Sequence, residues 1–169
     1  LSELPLLLKL MSVCPMPDLE LENLFRLLRA SLLFSISDLT GSAQELEFQS
    51  ALALQCFTNE YVYNQSESED KALAALEVAI KQALSRGEQP SPQSILCLAS
   101  YRPLNQYELS RSLLVTDEIE DVFRRQLEEP NQEARFKTEL PLLEEITDKF
   151  SSKVRDQYEV SPYPRWVNL

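Results

Sequence analysis

Glycine stands at only two of 169 positions, Gly41 and Gly87. This scarcity constrains the chain more than any motif in it. Loops that cradle phosphate need glycine, because the backbone must turn tightly and come close to the ligand. A Rossmann, P-loop or methyltransferase cofactor loop cannot be built here. Hairpin-rich β folds also draw on glycine for the left-handed residues of their turns. Helices make no such demand, and the apolar residues recur at helical spacing.

The spacing predicts a short first helix over 3–12, with Leu4, Leu7, Leu8 and Met11 on one face, ended by Pro15 and Pro17. Asp18 is a suitable N-cap for a second helix over 19–35. Its stripe is Leu21, Leu24, Phe25, Leu28 and Leu32, with Arg26 and Arg29 off it. Ser42 and Glu45 form a capping box. They open a third helix that runs to about Tyr63 and is apolar nearly all round, as a central helix would be. A polar, acidic loop over 64–70 leads into a fourth helix over 69–86, built on Leu73, Leu76, Ile80 and Leu84 and closed by Gly87. Ser91 and Pro92 start a short helix over 92–100.

The stretch 101–115 is less regular. A helix over 118–127 carries Ile119, Val122, Phe123 and Leu127, and Pro130 ends it. Another helix over 131–138 follows, then an extended or turn segment over 140–143. A last amphipathic helix over 148–158 sets Phe150, Val154 and Tyr158 on one side. Each proline of 161–166 pushes its predecessor out of helical geometry, so this end is extended. Tetratricopeptide spacing, about 34 residues, is not detectable. The expectation is an all-α fold: an irregular bundle of about six to eight helices with an extended Pro/aromatic C-terminal tail. The helical domain spans 1–150, and 151–169 hold the last helix turn and the tail.

With 44% apolar residues the chain can bury a continuous core. Histidine is absent, which removes the commonest general base and metal ligand. Cys14, Cys56 and Cys97 stand far apart with no C-x-x-C pair, as buried thiols in a reducing cytoplasm do. A net charge of −11 repels phosphate backbones and anionic lipid surfaces, so neither nucleic acid nor membrane is expected as a partner. The first residues lack the basic start and cleavage site of a signal peptide. The chain begins with Leu, which reads as an excerpt of a longer protein. Catalysis within the chain itself is not expected.

Three constellations invite a functional reading. Cys56, Asn59, Glu60 and Tyr63 share one face of the third helix at i, i+3, i+4 and i+7, with Tyr61 between them in sequence. They read either as a small polar binding site or as groups that cap loops and fix helix packing. Glu118, Glu120, Asp121, Glu128 and Glu129 are either paired carboxylates for acid–base work or a solvated face set against Arg124 and Arg125. The tail, Tyr158 with Pro162, Tyr163, Pro164, Arg165 and Trp166, holds the only tryptophan. It is stiff and aromatic, suited to be held against this domain or a following one. From Thr147 on, Lys149, Lys153, Arg155 and Arg165 nearly balance Asp148, Asp156 and Glu159, so the rest of the chain carries almost all the negative charge.

Val154-Arg155-Asp156-Gln157-Tyr158-Glu159 followed by Pro162-Tyr163-Pro164-Arg165-Trp166 resembles the region just before the catalytic domain in certain bacterial S-adenosylmethionine-dependent methyltransferases, often described with tetratricopeptide repeats. Cys56-Phe57-Thr58-Asn59-Glu60-Tyr61 and Tyr101-Arg102-Pro103-Leu104 are similar to two further elements of that family. The resemblance extends from about Asp18 to the end. Val160-Ser161 departs from it, where a Glu-Asn pair is expected, and this puts any role for that acidic position in doubt. In the family a glycine-rich cofactor loop follows the tail signature, whereas this chain stops at Leu169. The resemblance therefore implies a non-catalytic accessory domain. Its partners would be a downstream catalytic domain and a protein substrate, with S-adenosylmethionine bound only in that missing domain. No catalytic, cofactor-binding or metal residue carries over. The alternative is a self-standing helical interaction module of the tetratricopeptide type.

Overall fold

A helix leaves its first N–H groups without partners, and side chains that accept from them decide where it begins. The computed structural model, which describes residues 4–139 and 148–160, shows this along the chain. Helix α1, Pro5–Val13, opens on proline, which has no N–H to leave unpaired. The Asp18 carboxylate accepts from the N–H groups of Glu20 and Leu21, both at 3.0 Å, and starts α2, Leu19–Phe34. Ser42 and Glu45 close the expected capping box on α3, Ala43–Thr58. A second capping box, Ser66 with Glu69, opens α4, Glu67–Ser85. Ser91 caps α5, Pro92–Ala99. Beyond Arg86, Gly87 takes φ +77°, the left-handed geometry that closes α4.

Three local expectations are corrected. Helix α3 ends at Thr58, not near Tyr63. Glu60 and Tyr61 adopt φ of +59° and +57°, and the Tyr61 N–H donates back to the Cys56 carbonyl at 2.9 Å. This is a left-handed helix exit without glycine, at a cost of about 1–2 kcal/mol per residue. Side-chain anchoring, described below, offsets it.

Second, α2 buries Phe25, Arg29 and Leu33, so Arg29 lies on the inner stripe, while Leu24 is exposed. The inner face is rotated by about one residue from the leucine pattern, because a buried counter-charge awaits the guanidinium.

Third, Pro130 does not end a helix. The short α6, Glu120–Phe123, widens into a π-turn over Arg124–Glu128 and continues as α7, Glu129–Glu139. The Glu129 N–H donates to the Arg124 carbonyl, five residues back. That wide turn absorbs the misfit of a proline placed directly after it. It also turns three successive side chains inward, Arg125, Gln126 and Leu127.

Between α5 and α6 the irregular stretch holds two 3₁₀ turns, Leu104–Gln106 and Glu108–Ser112. Leu104, Tyr107 and Leu109 anchor it in the core.

Helix α3 is the central element, as its all-round apolar sequence predicts. Its residues from Ala51 to Cys56 are all buried. On one side Ala53 and Leu54 join Leu73, Ile95, Leu98 and Val122 in the larger apolar cluster. On the other, Leu52 and Cys56 join Leu8, Met11 and Phe25 in the smaller one. Full burial of a side chain such as Phe25 contributes about 1.5–3 kcal/mol.

The chain divides into two compact units, Leu1–Gln132 and Glu133–Leu169. Helix α8, Lys149–Val160, belongs to the second. Asp148 stands before it, and its carboxylate accepts from the Ser151 N–H at 2.7 Å. The segment 140–143 and the Pro/aromatic tail lie outside the described residues. All regular structure among the described residues is helical, in agreement with the all-α expectation. No helix among them is long and apolar enough to cross a membrane.

Candidate functional site

Several buried polar groups gather around the C-terminal end of α3. Cys56 is fully buried in the last turn of the helix. Burial pushes its thiol up to about 12, against the opposing pull of the Arg29 guanidinium. Such a thiol stays protonated and is a poor nucleophile. Cys97 on α5 behaves alike, pushed up to about 12 by burial.

Asn59 caps α3 by its backbone N–H, which donates to the Gln55 carbonyl at 3.0 Å. Asn59 and Glu60 border an open cleft of about 290 Å³ with Pro15, Met16, Glu22 and Thr58. Tyr61 turns the other way and donates its hydroxyl to the Ala99 carbonyl at the end of α5, at 3.1 Å. Its ring stands edge-on to Phe57 with centroids 6.4 Å apart. The Tyr63 hydroxyl is buried beside the amides of Gln55 and Asn59 without a well-formed hydrogen bond. Burial raises that phenol to about 12. The stretch read as one helix face is thus divided among a thiol in the core, a cleft rim, and a tyrosine that ties α3 to α5.

Arg29 is the hub that the leucine pattern of α2 does not reveal. Only 1% of its surface is exposed. Its Nη2 donates to the Asn64 carbonyl at 3.0 Å and, more loosely, to the Tyr63 carbonyl at 3.5 Å. The same nitrogen lies 3.7 Å from Glu69 Oε1. The guanidinium stacks on the Tyr101 ring, 4.2 Å from its centroid, and lies 5.7 Å from that of Tyr63. Glu69 does two tasks. Its Oε2 accepts from Ser66 N–H at 2.9 Å, closing the capping box, and its Oε1 accepts the Tyr101 hydroxyl at 2.8 Å. Burial opposes the ionised form. The Ser66 N–H, the hydroxyls of Tyr101 and Ser66 and the charge of Arg29 outweigh it and hold this carboxyl below its usual value. Tyr101 is pushed upward by burial first, then by its hydrogen bond to Glu69.

The π-turn adds a second set of ties. The Gln126 amide donates to the carbonyls of Ala53 and Ala99, both at 3.1 Å, and accepts from Leu104 N–H at 3.2 Å. Arg125 donates to the Ser12 carbonyl at the end of α1 and to the Thr58 hydroxyl at 3.3 Å. Gln55, with its amide oriented to suit its neighbours, donates to the carbonyls of Met11 and Cys14 and accepts from Met16 N–H. The C-terminal ends of α1, α3 and α5 are thereby held by side chains from elsewhere in the sequence.

The carboxylates of 118–129 stay outside this network. Arg124 bridges Asp121 at 2.7 Å and Glu129 at 2.9 Å on the surface. Arg125, expected beside them, points inward. In the second unit Tyr158 is 58% exposed on α8. Pro162, Tyr163, Pro164, Arg165 and Trp166 lie outside the described residues.

Arg29, Glu69 and Gln126 are therefore the polar residues that pattern reading passes over. A signal existed for one of them: Phe25, Arg29 and Leu33 fall at i, i+4, i+8. Chemically, Arg29 Nη2, Glu69, Tyr101 and Gln126 satisfy one another and nearby backbone groups, while Arg29 Nε, the Gln49 amide, Asn59 Oδ1 and the Tyr63 hydroxyl are buried without a hydrogen-bond partner; this network holds no pair of an exposed nucleophile and a base. Among the described residues no three or more carboxylates and thiols gather as metal ligands would. Compared with known proteins, the chain matches no family profile, no curated sequence and no solved structure.

Proposed function

We propose that this chain is a non-catalytic helical accessory domain of a bacterial, cytoplasmic S-adenosylmethionine-dependent methyltransferase-like protein. It supports the catalytic domain or recruits its substrate, a protein. The observation that carries this reading is the paired signature Val154–Glu159 and Pro162–Trp166, joined by Cys56–Tyr61 and Tyr101–Leu104. The placement of the two internal elements supports a scaffolding role. They meet at Ala99: Tyr61 donates to its carbonyl, and Gln126 joins that carbonyl to Leu104 N–H. Segments that carry the resemblance are thus segments that fix helix ends, as befits a domain whose task is shape.

Calorimetry with S-adenosylmethionine, on this chain and on its full-length parent, tests the proposal. Binding to the parent alone is the expected result. Binding to this chain overturns the claim that it is non-catalytic. Binding to neither moves the assignment to a self-standing helical interaction module. A groove on α1 and α3 favours that second reading, which also requires that no glycine-rich loop follow within about thirty residues of the signature in the parent.

A further inference from the structure

We infer that the groove between α1, α3 and the start of α6 docks a basic peptide segment of a partner protein, one carrying a large apolar side chain next to Lys or Arg. The inference stands independently of the methyltransferase reading.

The groove encloses about 450 Å³, within the range of ligand-sized clefts. Leu8 from α1 and Leu46 and Leu54 from α3 line it, each largely buried. Apolar lining at an open cleft favours an apolar side chain as occupant. The rim sets the charge of that occupant. Glu47 lies on one side and Asp117 and Glu118 on the other, all exposed. The Thr116 hydroxyl and its own backbone N–H hold the Glu118 carboxyl below its usual value, so it is ionised at neutral pH. Asp121 also borders the groove but is engaged by Arg124 at 2.7 Å. Lys9 is the one cation among the lining residues, leaving an excess of negative charge around an apolar floor.

This chemistry selects among occupants. A small molecule is usually oriented by a few polar groups fixed inside its pocket, whereas the charged groups here stand on the rim. Nucleic acid is repelled by the carboxylates. A second copy brings a net charge of −11 to an already acidic rim. A basic, apolar-flanked peptide answers both the floor and the rim.

The test uses the whole chain and a fluorescein-labelled amphipathic leucine–lysine peptide, read by anisotropy. A leucine–glutamate peptide and a serine–lysine peptide of the same pattern serve as controls. Only the leucine–lysine peptide is expected to bind, more weakly as salt rises. Glu47→Lys with Asp117→Lys should weaken binding about ten-fold or more. Ser50→Trp, which fills the groove from its wall, should abolish it. Asp38→Lys with Glu67→Lys, a reversal of equal size elsewhere on the surface, should retain most of it. Failure of the leucine–lysine peptide to bind overturns the inference. So does equal binding of either control peptide, or equal loss from the two double reversals. Should Ser50→Trp fail to fold, the two exposed double reversals decide the matter.

Discussion

The two ends of α3 are built on opposite principles. Its N-terminus is local: Ser42 accepts from Glu45 N–H at 3.3 Å, and the Glu45 carboxylate returns to the N–H groups of Ser42 and Gly41 at 3.2 and 2.9 Å. Every partner lies within five residues, and the groups stand at the surface. Its C-terminus is held from a distance. The left-handed exit at Glu60 and Tyr61 is secured by Ala99, the carbonyls that follow it are taken by Arg29 of α2, and the Thr58 hydroxyl accepts from Arg125. A helix can begin on information carried by four residues. Where it ends in an unfavourable backbone geometry, the stabilisation comes from parts of the chain that are remote in sequence.

The contrast makes unequal predictions. Arg29→Ala removes the counter-charge of the buried Glu69 and the donor to the Tyr63 and Asn64 carbonyls, and should cost about 3–5 kcal/mol. Chemical denaturation checks this, and a loss near that of an ordinary surface change would mean that the distal end is not held as described. Alkali should distinguish the ends next. Cys56 and Tyr63 are neutral in the fold, with values raised from 9.0 and 10.0 to about 12. Their contribution is fully present below the unfolded values and is lost as pH rises through the folded ones. Stability should fall from about pH 9 towards 12, by about 1.4 kcal/mol per pH unit for each group that ionises only on unfolding. The Ser42 end has no group that responds there. In acid both ends weaken, because Glu45 and Glu69 are each held below the usual carboxylate value. Their contributions are present above the unfolded value and disappear as pH falls through the lower folded one. Between about pH 6 and 8 denaturation midpoints should stay level, as no histidine titrates. Smallest is Ser42→Ala, expected to cost about 1 kcal/mol by thermal denaturation. A loss equal to that of Arg29→Ala would erase the distinction between the two ends.

The same contrast explains what could be read from the sequence. Asp18, Ser42, Ser91 and Gly87 act on neighbours a few residues away, so their spacing alone announces four helix boundaries. The central position of α3 is equally legible, because an all-round apolar helix has few other places to lie. The inward position of Arg29 is only faintly legible, in its i+4 spacing between Phe25 and Leu33, and its role is not, since its partners Tyr63, Glu69 and Tyr101 come from later segments. Nor is the π-turn, where Pro130 suggests an ending and the structure supplies a wider turn instead. At the candidate site the sequence marks Cys56 to Tyr63 as unusual for an apolar helix. It does not reveal that Tyr61 faces α5 while Asn59 and Glu60 border a cleft, because the left-handed residues redirect each side chain in turn.

Glu69 joins a local cap and a distant hub in a single carboxylate, with consequences for how the molecule opens. Helix ends ordinarily fray by themselves, and their amides exchange with solvent far faster than those of the core. The first turn of α3 is free to do so. The first turn of α4 is not: releasing Ser66 from Glu69 also disturbs the oxygen neighbours of Tyr101 and Arg29. The amide of Ser66 should therefore exchange on the slow timescale of global unfolding, so that α4 opens together with the core rather than ahead of it.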